Sequence, residues 1–212
     1  MTIRGKLVAA IALTVIGPVV TIAVALAAFG SLGDHSDDVR RAGERRALAL
    51  ELKFAVTDMN GWQTAYGYDG GRSRPQFEAA SESTKNQLRA AEATLRTPRD
   101  RALLRDLGEA FDAFIELDAK AYAALRAGRE NVVRRIFLGP EIRNFEAMAG
   151  AAGQLATEER RRAAAAEREF DDARTRARRE LVAVGIGAGV VIILLLLTVQ
   201  DVVRLALERG ES

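Results

Sequence analysis

The sequence predicts an all-α fold: an antiparallel four-helix bundle anchored in a membrane by two flanking transmembrane helices. Three observations carry that expectation. Long apolar segments at residues 7–29 and 181–199 bracket the chain, apolar residues between them recur three and four apart, and glycine and proline cluster at the few points where one such run gives way to the next.

The first apolar segment, Leu7 to Phe29, has no ionisable side chain and matches the roughly 20 residues that a helix needs to cross the hydrocarbon core. Arg4 and Lys6 precede it, and Ala25-Leu26-Ala27 has the small-residue pattern of a signal cleavage site. The run is nevertheless longer than the roughly 7 to 15 apolar residues of a secretory signal, which favours a retained anchor. Gly17-Pro18 lies inside it and is expected to kink the helix, a defect that a membrane tolerates better than a soluble bundle does. Asp34, Asp37 and Asp38 open the far flank. The charge bias therefore puts the leader, residues 1–6, in the cytoplasm and residues 30–180 outside it. The arginine-rich stretch before the second span argues weakly the other way, but a domain of this length translocates largely regardless of charge.

The first bundle helix is expected to continue out of the span, with Leu48, Leu52, Ala55, Met59, Trp62 and Tyr66 on one stripe. Tyr68-Asp69-Gly70-Gly71-Arg72-Ser73 ends it, because paired glycines permit a tight reversal. A second helix opens near Pro75 and buries Phe77, Ser81, Thr84, Leu88, Ala91 and Leu95. Thr97-Pro98-Arg99-Asp100 starts the third: Thr97 is a helix N-cap, Pro98 suits the first helical position and Asp100 favours the positive end of the helix dipole. Leu104, Leu107, Phe111, Phe114, Asp118, Ala121 and Leu125 form its stripe, and Ala127-Gly128 breaks it.

A short segment with Val132, Val133, Ile136 and Phe137 follows, and Gly139-Pro140 introduces the last helix. Ile142, Phe145, Ala149, Ala152, Ala156, Glu159, Ala163, Ala166, Phe170, Ala173 and Ala177 keep the alternation going, and the pattern runs into the second span, residues 181–199. Residues 200–212 form a short tail, expected inside. Four amphipathic stripes on short connections are buried together by a four-helix bundle; a two-helix hairpin that dimerises is the rival arrangement.

Composition narrows the function. The net charge of +2 is spread over interleaved acids and bases, so a pI near 9.2 gives no reason to expect nucleic acid as a partner. No cysteine is present, which excludes disulfides, thiolate metal sites and thiol nucleophiles. His35 is the single histidine, too few for a histidine metal cluster or a triad. Neither a cofactor nor an enzymatic activity is expected. Gly185-Ile186-Gly187-Ala188-Gly189 looks superficially like a phosphate loop, but it lies in an apolar span with no strand before it. Gly185 and Gly189 read better as a small-residue face on which spans pack closely. The arginines from Arg160 to Arg179 read as a solvated face balanced by Glu158, Glu159, Glu167, Glu169, Asp171 and Asp172, with Arg178 and Arg179 close enough to the span to meet headgroups.

One constellation points to binding. Counting along the helices brings Tyr66, Asp118 and Arg143 to one level near the far end of the bundle. A carboxylate at the core position of Asp118 is costly unless paired. Arg143 is expected to pair with it, and Trp62, Gln63 and Tyr66 to supply an apolar wall with hydrogen-bonding edges. The cluster is open to two readings, a site for a small amphipathic or charged ligand and a structural ion pair with an aromatic plug.

The order span, long helix, two inner helices, long helix, span resembles the four-helix-bundle sensor domain of methyl-accepting chemotaxis proteins and related bacterial transmembrane receptors. Two local stretches share the likeness: Asp58-Met59-Asn60-Gly61-Trp62-Gln63-Thr64-Ala65-Tyr66, and Arg126-Ala127-Gly128-Arg129 with Val132 to Pro140 and Phe145. The resemblance implies an inner-membrane signal-transduction sensor that passes an extracytoplasmic cue through its last helix. It also implies a homodimer, and a chemoreceptor, histidine kinase or cyclase as partner. Asp201 to Ser212 depart from the family, where a HAMP linker and a signalling hairpin are expected, so the input half of such a receptor, a shortened receptor or a membrane-tethered interaction module all remain as expectations.

Overall fold

The computed structural model describes the backbone of residues 3–210 and the side chains of residue 12, residues 14–200 and Arg204. Among the described residues there is no strand. The elements are α1 (Ile3–Tyr68), α2 (Arg74–Thr94), α3 (Pro98–Arg126), α4 (Glu130–Ile136), a π-helical turn (Phe137–Glu141) and α5 (Ile142–Gly210). The leader charges Arg4 and Lys6 and nearly all of the tail after Gln200 lie outside the described side chains.

Each boundary has a local cause. Helix α1 runs through Pro18, and the Thr21 hydroxyl donates to the Gly17 carbonyl at 2.9 Å. It stops at Gly70 and Gly71, with φ of 70° and 96°, conformations open to residues without a Cβ. The turn is closed by the Gly71 N–H on the Tyr66 carbonyl at 2.8 Å and by the Asp69 carboxylate, which accepts from the Ser73 hydroxyl at 2.6 Å. Thr97 and Asp100 form a capping box at the start of α3: the Asp100 N–H donates to the Thr97 hydroxyl at 3.2 Å and the Thr97 N–H to the Asp100 carboxylate at 3.1 Å. Gly128, with φ of 65°, ends that helix region. Between α4 and α5 the backbone widens into the π-helical turn, where Gly139 leaves helical geometry at φ −117°, ψ −105°.

The chain divides into two compact units, residues 40–165 and the two ends together, residues 1–39 with 166–212. The core of the first takes Ala49, Leu52, Val56 and Met59 from α1, Phe77, Leu88 and Leu95 from the α2 segment, Leu104, Leu107, Phe111 and Phe114 from α3, and Met148, Ala152 and Leu155 from α5. Four helices therefore share one apolar interior, and a dimerised hairpin is not needed to bury their stripes. Two long-range pairs fix the sense: Arg45 meets Glu159 and Gln63 meets Glu141, so advancing along α1 retreats along α5. Asp118 meets Tyr66, and Asp100 meets Arg162, so α3 is antiparallel to α5 as well.

Most of the expected stripe is buried: Leu52, Ala55, Met59 and Tyr66 on α1, and Ala152, Ala156, Glu159, Ala163, Ala173 and Ala177 on α5. Beside them Ala49, Val56 and Gln63 are buried on α1, Met148, Ala151 and Leu155 on α5, and Glu141 at the end of the π-helical turn. Ile142, expected in the core, is 43% exposed. In the unit formed by the chain ends, Val15, Ile16, Val19, Leu26 and Phe29 on α1 and Ile186, Ile193, Leu194, Leu196 and Leu197 on α5 are all exposed. Both helices are long and apolar enough to cross a membrane, with mean hydropathy of 2.2 and 2.9 in their most apolar stretches. A Cβ placed on Gly185 or Gly189 would meet nothing within 4 Å, so within the chain these glycines are not a close helix contact.

Candidate functional site

The end of the 40–165 unit where α1 turns into α2 holds a buried polar cluster. Gln63 and Tyr66 come from the last turns of α1, Arg74 from the first turn of α2, Asp118 from α3, and Glu141 from the end of the π-helical turn. Gln63, Tyr66, Asp118 and Glu141 are all buried, the two carboxyls to 1% exposure each.

Both oxygens of Asp118 have hydrogen-bond donors. One of its oxygens accepts from the Tyr66 hydroxyl and from Gln63 Nε2 at 3.4 Å; the other accepts from Arg74 Nη1 at 2.6 Å. Three donors and an opposite charge offset the cost of taking a carboxylate out of water. Arg74 in turn reaches Glu78 through Nε at 2.9 Å. Its guanidinium carbon lies 5.2, 4.7 and 4.5 Å from the ring centres of Tyr66, Phe77 and Tyr122, inside cation–π range. Burial works against that charge, but the Glu78 and Asp118 contacts outweigh it and raise the Arg74 pKa.

Glu141 has a different environment. Gln63 Nε2 donates to its Oε1, while Oε2 is buried with no hydrogen-bond partner. One Gln63 amide nitrogen thus serves both buried carboxyls, and an amide nitrogen has two N–H bonds to give. Burial first, and then the neighbouring Asp118 charge, push the Glu141 carboxyl from its ordinary 4.5 to about 8, against the smaller downward pull of Gln63 and Arg74. Burial and the Asp118 charge also push the Tyr66 phenol far up, so it stays a neutral donor. Tyr66 packs edge-on against Phe77, Tyr122 and Phe137 at 5.5, 5.8 and 6.1 Å. A groove of about 360 Å³ between α2 and α3, floored by Phe77, Phe111 and Ile115, leads from the surface to Arg74 and Asp118.

The structure brings together three of the five residues expected at this site. Gln63, Tyr66 and Asp118 converge, with Gln63 at the centre rather than in a wall. Trp62 is 37% exposed and stands outside the ring cluster. The expected pairing of Asp118 with Arg143 is not found: Arg74 takes that place, and Arg143 is exposed with no ion pair among the described residues. The reason is helical phase. Arg143 lies two residues past the core-facing Glu141, about 200° around the helix.

A second buried polar cluster closes the opposite end of the unit. Arg162 Nη1 bonds both oxygens of Asp100 at 2.8 and 2.9 Å and also reaches Glu159, while Arg162 Nη2 bonds the Thr97 hydroxyl at 3.1 Å. Arg45 Nε lies 3.4 Å from the other Glu159 oxygen. Every carboxylate oxygen here has a partner, which marks a clasp between α1, α3 and α5 and leaves the Glu141 cluster as the candidate site. Among the described residues no three His, Cys, Asp or Glu side chains are grouped so as to hold a metal ion.

The fold and site define an all-helical bundle with an incompletely satisfied polar cluster and two helices long and apolar enough to cross a membrane. Comparison with protein-family models, with curated proteins and with solved structures finds no match.

Proposed function

We propose that this protein is a membrane-anchored signal-transduction sensor of the chemoreceptor type, which takes up an extracytoplasmic cue in its bundle and passes it on by a small displacement or rotation of α5. The observation that carries this reading is the Gln63–Tyr66–Arg74–Asp118–Glu141 cluster, which draws on α1, α2, α3 and the turn that leads into α5. A change in the charge or occupancy of that cluster acts on the start of α5, which continues to Gly210 as one helix. The cue has to favour one of two packings, since a ligand with equal affinity for both shifts nothing. The partner is a chemoreceptor, histidine kinase or cyclase whose membrane helices the sensor biases. Purification of the tagged protein from its native membranes in mild detergent, followed by mass spectrometry, tests this. Co-recovery of such a protein supports the sensor, and recovery of envelope structural proteins or of the chain alone overturns it.

A second reading, a membrane-tethered interaction module, has its own observation. Leu50 and Phe54 on α1 are 46% and 72% exposed beside a groove shared with α2. Under that reading Leu50→Ser with Phe54→Ser abolishes partner recovery, whereas changes at Asp118 or Tyr66 leave it intact.

A further inference from the structure

We infer that the cue is the proton and that Glu141 is the group that takes it up; this rests on the sensor reading and names its ligand.

The two buried carboxyls of the cluster are held unequally. Asp118 has three donors, one of them the Arg74 guanidinium, whereas Glu141 has one donor and an oxygen with no partner. Two buried carboxyls held by one amide repel each other strongly when both are ionised, and Glu141 is the one with an oxygen that no donor reaches. Among the described residues, Gln63 and Tyr66 from α1 present neutral groups to Glu141, the Asp118 carboxyl approaches from α3, and the Arg74 guanidinium from α2 is shared between Asp118 and Glu78. Glu141 is therefore packed as a neutral acid. Its shift to about 8 places the change of state at neutral to mildly alkaline pH.

Position makes the titration consequential. Glu141 closes the π-helical turn, immediately before Ile142 begins α5 and two residues after Gly139, the one residue of that turn outside helical geometry. Loss of the proton puts a second negative charge beside Asp118 with no donor for Oε2. The site relieves this by turning Glu141 toward water, and the joint between α4 and α5 moves with it. Protonation holds the packed arrangement and deprotonation favours the open one.

Trp62 is the only tryptophan and adjoins Gln63 in α1, so the full chain carries its own reporter. In detergent or nanodiscs, Trp62 fluorescence recorded from pH 5 to 10 is expected to show one transition with a midpoint near 8. Glu141→Gln should abolish it with helical content retained, and Asp118→Asn should lower its midpoint by removing the neighbouring charge. A transition unchanged in Glu141→Gln, or none up to pH 10, overturns the inference. Should the variant fail to fold, infrared spectra of the unmodified chain decide: a protonated buried carboxyl present at pH 7 and lost by pH 9 supports it, and no such band at pH 7 overturns it. The two readings separate cleanly. A signalling partner recovered without a proton transition overturns the proton alone, and a proton transition without a signalling partner overturns the sensor alone.

Discussion

A carboxylate at 1% exposure holds its charge only through its partners, and Asp118 shows how unevenly those partners count. Arg74→Ala removes the guanidinium and leaves a buried anion behind, which costs about 3–5 kcal/mol. Arg143→Ala touches nothing buried and should change stability by less than about 0.5 kcal/mol. Chemical unfolding of the two variants followed by circular dichroism checks the contrast, and equal losses would return Arg143 to the site. Glu141 adds a pH dependence with a definite sign. Its carboxyl is raised in the folded state from 4.5 to about 8, so between those values the folded chain binds a proton that the unfolded chain has released. The stabilisation is complete below about pH 4.5 and is lost as pH rises through 8, at up to about 1.4 kcal/mol per pH unit. The melting temperature should therefore fall between pH 6 and 9 in the unmodified chain and fall less in Glu141→Gln. Parallel curves for the two would show that Glu141 is not the titrating group.

Among the elements, the start of α3 is the one where cap and clasp coincide. Thr97→Ala loses the capping bond from the Asp100 N–H and the exposed bond from Arg162 Nη2, and should cost about 1 kcal/mol. Asp100→Ala should cost more, about 2–3 kcal/mol, because it removes the reciprocal cap and the carboxylate that Arg162 Nη1 bonds through both oxygens. Comparable losses for both would mean that Arg162 finds another acceptor. The contrast bears on what a sequence discloses. Thr97, Pro98 and Asp100 were legible as a helix start because capping is local, and the paired glycines at 70 and 71 were legible as a stop for the same reason. The second role of Asp100, against a residue of α5, was not legible, since nothing local announces a partner in another helix. Stripe phase was harder still. Trp62 and Ile142 are large and apolar and drew the stripe toward themselves, yet the buried line passes through their neighbours Gln63 and Glu141. Extending the α2 stripe one step back from Phe77 reaches Arg74, and the true α5 stripe from Leu155 and Met148 reaches Glu141. Polar residues continuing an apolar stripe were the available signal.

At the scale of the molecule, the two apolar helices present exposed side chains: Phe29 is 65% exposed, Ile186 65% and Leu196 61%. Apolar surface of that extent calls for a lipid or protein environment, and the roughly 20-residue length of each run fits a bilayer. Length and composition made these runs legible in the sequence. Orientation rests on the flanking charges, and the absence of cysteine makes it directly testable, because any introduced thiol is the only one. Glu92 on α2 and Arg204 near the end of α5 are both exposed. If residues 30–180 lie outside the cytoplasm and the tail inside, Glu92→Cys on intact cells should react with a membrane-impermeant maleimide and Arg204→Cys should react only after permeabilisation. The opposite pattern would invert the topology and place Glu141 in the cytoplasm, where a cue from outside does not reach it. Labelling of both thiols on intact cells would mean that the second apolar helix does not cross, and a displacement of α5 would then have no route through the membrane.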